Sequence, residues 1–307
     1  MKTDRFKEIR EKILKNIFEK KNIVDVWRRI AKNQLRSLDL KDIFDYYDFN
    51  YNIDDRAIAI RNEVLNGTYK TQSPLIFKVE KKLGICRHLM IPQPTDALVM
   101  QIITEAIYPE ICKKQPSKNA FYSRDRHSVN KPHEIGDSEY ENNWRKQWKK
   151  MQKKIYKFNE SKELIIVTDL TNYFDSINLA TLREFIVGIV DSENEVLIDL
   201  LFRIIEELSW KPDYLPYKKQ GLPTVNIESI RLLGHTFLFE VDAVLKKKTK
   251  NTFARWMDDI TIGVDDKKEA TQILSGISDV LKSRGLALNL SKTNLYSAGR
   301  LRKKLFD

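Results

Sequence analysis

Cysteine is almost missing from these 307 residues. Cys86 and Cys112 are the only two, too few for a disulfide framework or a thiolate zinc site. Histidine is nearly as scarce, with four scattered residues; Cys86 and His88 are close but have no further ligands near them, so both are expected to be structural. No apolar run approaches the ~18–20 residues that a membrane-spanning helix needs. The opening residues, MKTDRFKEIREK, are charged throughout and lack the apolar stretch of a signal peptide. There is no internal repeat and no low-complexity linker. Together these absences lead to the expectation of a reduced, cytoplasmic protein without a membrane partner.

What is abundant is positive charge. The 54 Lys and Arg outnumber the 43 Asp and Glu, for a formal charge of +11. Such a surplus favours a polyanionic partner, most commonly nucleic acid, the alternative being a merely basic soluble protein. Hydrophobic content of 42% and aromatic content of 10% describe a globular chain, one domain or two packed closely together.

Periodicity predicts the elements. Phe6, Ile9, Ile13 and Ile17 recur at helical spacing over 4–20, and helical text continues to the stop at Asn66-Gly67. LIFKV (75–79) and ICRHLMI (85–91) read as strands around a KKLG turn, followed by a buried helix over 95–112. Over 144–158, Trp144, Trp148, Met151, Ile155 and Phe158 share one helical face. Arg145, Lys146, Lys149, Lys150, Lys153, Lys154 and Lys157 fill the rest with no acid among them. That face is either merely solvated or contacts phosphates, since clustered cations release counterions on nucleic acid. LIIVTDL (164–170) is a buried strand ending in an acid. Helices over 179–190 and 194–208, a QGLPT turn and a long helix over 226–246 come next. A hairpin at 253–264, a helix over 267–284 and a strand region to 297 complete the chain. This order fits an α+β protein whose antiparallel sheet is covered on one side by helices.

Three pairs of adjacent aspartates occur. Asp54-Asp55 and Asp265-Asp266 lead into helices, where acids complement free N–H groups and the dipole. Asp258-Asp259 lie between two strand-like runs, FARWM and ITIGV. A tight turn prefers Asn-Gly or Asp-Gly, so a bound cation explains two adjacent acids better than turn preference does. With Asp169 at the end of LIIVTD on a neighbouring strand, three carboxylates could hold two Mg²⁺ ions ~3.5–4 Å apart, suited to in-line phosphoryl displacement. A solvated turn plus an unrelated strand-end acid is the alternative.

At these residues the sequence resembles the reverse transcriptases. VTDLTNYFDSI is similar to their first palm motif and FARWMDDI to the palm hairpin bearing the paired aspartates. QGLPTVNIESIRLLGH resembles the loop and helix behind the incoming nucleotide. GICRHLMIPQPTDALVMQ and PSKNAFYSRDRHSV resemble fingers motifs, and LALNLSKTNLY the Lys-Thr strand. All six stand in the family order across residues 70–297. The forms GLP, S-x-R-L-L-G and R-W-M-D-D look like the bacterial abortive-infection and defence-associated members, with group II intron and retron enzymes more distant.

The resemblance implies a right-hand polymerase: a helical N-terminal extension over 1–66, fingers over 67–163 and a palm with an antiparallel sheet over 164–307, the thumb absent or truncated. Asp169, Asp258 and Asp259, with the Leu170 carbonyl, would bind two Mg²⁺, with Mn²⁺ as a substitute. Phe174, five positions after Asp169, would exclude a 2′-hydroxyl and select dNTPs; a core aromatic is its alternative. Arg87 would reach the triphosphate. Gly221, Pro223 and Thr224 would back the nucleotide, and Lys292 would assist pyrophosphate departure or contact primer. Trp256 and Met257 would lie at the primer terminus, Arg124 and Arg126 on template phosphates, and Lys149, Lys150 and Lys153 on nucleic acid.

Departures from the family pattern are specific. Trp256 replaces the usual Tyr or Phe, and Thr224 and Val225 replace Gln and Gly. Only a short segment ending in RLRKKLFD follows the Lys-Thr strand, where a product-gripping thumb is expected. The implied partners are an RNA template or noncoding RNA, dNTPs, the DNA product and a homo-oligomer, in antiphage defence. Untemplated, protein-primed DNA synthesis, RNA-directed RNA synthesis and a non-catalytic RNA-binding scaffold are the competing functions.

Overall fold

A computed structural model describes residues 2–124, 143–212, 214–215 and 220–298. Packing divides these into two units, one built from 2–114 and Leu179–Leu233, the other from 115–124, 143–178 and 234–298. The two units interleave along the chain. The helix Trp144–Ser161 accounts for part of that, because its apolar stripe finds partners on strands that come later in the chain.

The strands, in chain order, are β1 (Leu75–Lys82), β2 (Ile85–Ile91), β3 (Ala120–Phe121), β4 (Leu164–Thr168), β5 (Phe253–Trp256), β6 (Asp259–Val264) and β7 (Asn294–Ser297). In the second unit they form a sheet of order β3-β5-β6-β4-β7. β4, β5, β6 and β7 pair antiparallel, but β3 joins β5 in parallel, so the sheet is mixed rather than purely antiparallel.

Nor is the sheet covered on one side only. Period-2 alternation puts Ile165 and Val167 on one face and Ile166 on the other. On the first face Met151, Ile155 and Phe158 of the Trp144–Ser161 helix pack with Ile165, Ala254 and Phe121. Gly263, which pairs with Ile165, lets that helix approach: a Cβ there would lie 3.1 Å from Phe158 Cβ. On the opposite face Ile166, Ile262 and Phe253 are fully buried. The helices Phe239–Thr249 and Lys267–Ser283 pack against each other and against this part of the sheet. Three apolar residues in succession, Ile165-Ile166-Val167, are the sequence signature of a strand buried on both faces.

The single helix expected over 226–246 is two, Glu228–Phe237 and Phe239–Thr249, broken at Leu238. Asp266 caps the following helix by accepting from the Glu269 N–H, as its position in the sequence predicts. Asp54 and Asp55 likewise lie in the first turn of their helix.

The first unit holds the β1–β2 hairpin, whose register runs from Leu75 opposite Ile91 to Val79 opposite Arg87. Its N-terminal helices bury Phe18, Ile23, Trp27 and Leu35, while Phe6 is 64% exposed, outside the expected stripe. The helix Pro94–Lys114 is apolar nearly all round and correspondingly buried. Cys86 and Cys112 are exposed free thiols, and His88 stacks on Trp210 at 4.7 Å. No helix among the described residues is long and apolar enough to cross a membrane.

Asp96 is fully buried in this unit, as is Glu228. It accepts from Tyr69 Oη at 2.6 Å and from the Gln72 N–H at 3.0 Å. Burial pushes its carboxyl up from 3.8 to about 6, against the pull of those two bonds. Well below pH 3.8 the group is neutral in folded and unfolded chains alike and contributes no pH dependence. As pH rises to about 6 the unfolded chain ionises first, so stability falls, and the loss is complete above the folded pKa. A shift of about two units corresponds to roughly 3 kcal/mol. Asp96→Asn, which keeps an acceptor, is expected to lack this component. Urea melts at about pH 4 and about pH 7.5 check it, and identical pH dependence in both proteins would contradict it.

Candidate active site

The ladder between β4 and β6 places Val167 opposite Thr261 and Thr168 opposite Ile260. Its next step brings Asp169 level with Asp259. Across the β5–β6 hairpin Trp256 pairs with Asp259, so the two-residue turn is Met257-Asp258. The sequence predicts Asp258-Asp259 at the tip. Instead Met257 takes the left-handed conformation, with φ of 53°, and Asp259 opens β6. A bulky residue at such a φ costs ~1–3 kcal/mol and persists only where its surroundings hold it.

Arg255 provides that hold. Its side chain is fully buried and binds Asp242 through Nε at 2.7 Å and Nη2 at 2.5 Å. Nη1 donates to the Met257 carbonyl at 2.9 Å and Nη2 to the His235 carbonyl at 3.1 Å. Burial pushes the Asp242 carboxyl up, and the Arg255 charge and bonds offset only part of that rise. His235 is buried between Tyr122 and Phe239, at 4.9 and 5.5 Å, and neither of its ring nitrogens has a hydrogen-bond partner. Burial, helped by the Arg255 charge, holds its pKa well below the usual histidine value, so it packs as a neutral ring.

Asp169 is fixed by the segment after the helix Lys267–Ser283. Its carbonyl accepts from the Asn289 N–H at 2.8 Å, the Thr171 N–H donates to Ala287, and Leu170 bridges Leu288. In that pattern the N–H and carbonyl of Leu170 turn away from 287–289, toward the edge that β6 flanks. The hydroxyls of Thr168 and Thr293 meet at 2.7 Å, which seats Lys292 next to the strand end. Lys292 Nζ donates to Asp169 Oδ2, and this bond raises the lysine pKa. Asp169 Oδ1 is buried without a hydrogen-bond partner.

The pKa of Asp259 is pushed up to about 6 by burial and by the like charges of Asp258 and Asp169, with Lys292 opposing. Because the Asp259 side chain keeps access to water, the like charges are the firmer of those causes. A buried carboxylate oxygen without a partner, beside two further carboxylates, is the donor chemistry that a hard divalent cation satisfies. Among the described residues no three Asp, Glu, His or Cys side chains are already gathered as a metal cage. The donor types fit such an ion; in this arrangement Lys292 supplies the counter-charge.

Phe174 lies in the short helix Tyr173–Ser176, entered through Asn172 at φ 44°. Tyr173 Oη donates to the Gly234 carbonyl at 2.5 Å. A Cβ on Gly234 would meet Phe174 Cε1 at 3.2 Å and Met257 Cε at 3.4 Å. The structure therefore brings Phe174, Met257 and Gly234 together at the hairpin turn. Trp256 is half-buried and meets the Trp148 ring at 5.5 Å and 84°. Lys149, Lys150 and Lys153 are exposed and Arg124 is half-buried; Arg126 lies outside the described residues.

Four of the expected site residues belong to the first unit. Arg87 is exposed on β2. Gly221, at φ 99°, has its carbonyl bonded by Ser209 Oγ at 2.9 Å. Pro223 is buried, and the Thr224 carbonyl accepts from the Met90 N–H at 3.2 Å.

Sequence reasoning missed Arg255, Asp242, His235 and Gly234. The signal for the first two was present: an Arg inside the buried strand FARW and an Asp inside the apolar helix FLFEVDAVL, opposite charges in two stretches with no room for either alone.

The family description Reverse transcriptase (RNA-dependent DNA polymerase) matches residues 79–303. No curated protein matches the chain. Among solved structures, telomerase from Candida albicans in complex with a TWJ fragment of telomeric RNA aligns with a TM-score of 0.51 at 11% identity, over 75% of this chain and 42% of that one. Apo telomerase from Candida tropicalis aligns with a TM-score of 0.49 at 15% identity, over 74% of this chain and 45% of that one. The chain thus spans less than half the length of these telomerases. With more than two thirds of its residues matched to that description, the chain belongs to the reverse transcriptase (RNA-dependent DNA polymerase) family.

Proposed function

We propose that this protein is a bacterial defence-associated reverse transcriptase of the abortive-infection kind, copying a noncoding RNA into DNA from dNTPs. What carries this reading is Asp169 one residue past the Thr168–Ile260 pair, the like-charge effect of Asp169 and Asp258 on Asp259, and a buried Asp169 oxygen without a hydrogen-bond partner. The forms GLP, S-x-R-L-L-G and R-W-M-D-D support the defence subtype. The charge of +11, and the telomeric RNA fragment bound to the Candida albicans telomerase, support an RNA partner. In this reading the fingers motifs fall in 67–163 and the palm motifs in 164–307, after a helical extension over 1–66, and a homo-oligomer supplies further grip on nucleic acid.

The family generally uses divalent metals; here two Mg²⁺, or Mn²⁺ in their place, would neutralise charge on the transferring phosphoryl group and lower the pKa of the primer hydroxyl. Asp169, Asp258 and Asp259, with the Leu170 carbonyl, are the residues to hold them. Lys292 passes its charge from Asp169 to the departing pyrophosphate or to the primer. Arg87 pairs with the triphosphate, and Gly221, Pro223 and Thr224 back the nucleotide. Trp256 and Met257 contact the primer terminus, while Arg124 and Arg126 meet template phosphates.

Phe174 excludes the 2′-hydroxyl with a ring that Gly234 and Tyr173 keep in place. Phe174→Ala is expected to lower the preference for dNTP over rNTP, measured as the ratio of kcat/KM values, by about tenfold or more. An unchanged ratio would make Phe174 a packing residue and weaken the choice of DNA over RNA synthesis.

A further inference from the structure

On the helix Trp144–Ser161 the apolar stripe changes character along its length. Phe158, Ile155 and Met151 are 3–5% exposed, whereas Trp148 is 40% and Trp144 46% exposed. The first turns thus carry two large aromatic side chains past the edge of the core that covers the rest of the helix. A half-exposed indole leaves part of its burial free energy unrealised, and two at i,i+4 spacing lie on one face of the helix, with the Arg145 guanidinium over the Trp144 ring at 5.5 Å.

Position and charge say what that surface suits. Trp148 meets Trp256 edge to face at 5.5 Å, and Trp256 immediately precedes the Met257-Asp258 turn. Aromatic rings therefore run in succession from Trp144 through Trp148 to the carboxylate hairpin. Around them Arg145, Lys146, Lys149, Lys150 and Lys153 are all exposed. Aromatic faces interleaved with exposed cations match a single-stranded polynucleotide, whose unpaired bases offer π-faces and whose phosphates offer charge. A duplex hides those faces, and an apolar protein surface would leave the cations without a counterpart.

We propose that Trp144 and Trp148 form a stacking track for single-stranded nucleic acid that leads to Trp256 and the carboxylate hairpin. This rests on the polymerase reading for what the strand does on arrival, but binding itself is measurable without nucleotides or metal. Lysines on the same helix supply the salt-dependent part of the affinity, and the indoles supply a part that depends on bases and not on salt.

The test uses the full chain and four labelled probes: oligo(U), oligo(dT), a base-less phosphodiester strand of equal length and a blunt DNA duplex. Wild type is expected to prefer the base-bearing single strands to the base-less strand, with tryptophan fluorescence quenched on binding. Trp144→Ala/Trp148→Ala is expected to bind oligo(U) and oligo(dT) about tenfold or more weaker and to lose the preference over the base-less strand, with its salt slope unchanged. Trp144→Phe/Trp148→Phe should restore most of the preference, which separates stacking from a folding defect. Lys149→Gln/Lys150→Gln/Lys153→Gln should instead flatten the salt slope and keep the preference for bases. Equal affinity of wild type for base-bearing and base-less strands, or an alanine variant that keeps the preference, would overturn the track. A duplex bound as tightly as the single strands would do the same. The oligo(U) and oligo(dT) arms show whether RNA or DNA is the strand held. Intact, base-dependent binding by a protein that synthesises nothing would sink the polymerase reading and leave the track standing.

Discussion

Asp258→Ala is expected to remove nucleotide addition, by about 10³-fold or more, while leaving the protein as stable as wild type or slightly more stable. The first half follows from what carboxylates supply to metal-assisted phosphoryl transfer, several kcal/mol of charge stabilisation at ~1.4 kcal/mol per tenfold in rate. The second half follows from the electrostatics of the site. Asp258 raises the pKa of Asp259, so deleting it relieves a repulsion. Asp259→Ala is expected to behave alike. Single-turnover extension of a labelled primer and thermal melts of the same samples check both halves. A variant that keeps its rate would place the chemistry elsewhere. One that loses both rate and stability would make the pair a folding element.

Arg255→Met is expected to cost stability as well as synthesis. Removing one partner from a fully buried ion pair leaves Asp242 uncompensated, and such changes cost about 3–5 kcal/mol. The loss is expected to be larger than for most core substitutions, because Arg255 also satisfies the carbonyls of Met257 and His235. Arg255→Met/Asp242→Leu removes the orphaned charge and should recover most of the stability. It should not recover synthesis, because the Met257 carbonyl stays unheld and the left-handed turn before Asp258 loses its mount. Urea melts and primer extension on the single and double variants give this split. A double variant that regains both stability and rate would reduce the pair to packing.

How far the sequence discloses this molecule depends on which interactions decide each feature. The hairpin, the strand ending at Asp169 and the periodic helices were legible because local alternation governs them. The turn was misread by one residue, because strand register decides which residue bears the positive φ, and that residue is Met257 rather than an aspartate. Nothing in the local sequence marks the break at Leu238. The interleaved packing units were hidden because they depend on where the stripe of the Trp144–Ser161 helix finds its partners. Periodicity placed Trp144 and Trp148 on the correct face, but it carries no information on how far the opposing surface extends. Arg255 and Asp242 were passed over because the two apolar stretches that hold them, FARW and FLFEVDAVL, were read separately. Only their pairing across strand and helix makes them buried.

The most direct measurement of the central claim is nucleotide incorporation by the chain as isolated, with any co-purifying RNA and with Mg²⁺. Labelled dNTPs or rNTPs would be offered one at a time, beside Asp258→Ala/Asp259→Ala. The account predicts DNA from the wild type alone, lost after RNase pretreatment. DNA synthesis that survives RNase would point to an untemplated enzyme, and product from rNTPs alone would make it an RNA polymerase. No product from any nucleotide would contradict catalysis at Asp169, Asp258 and Asp259.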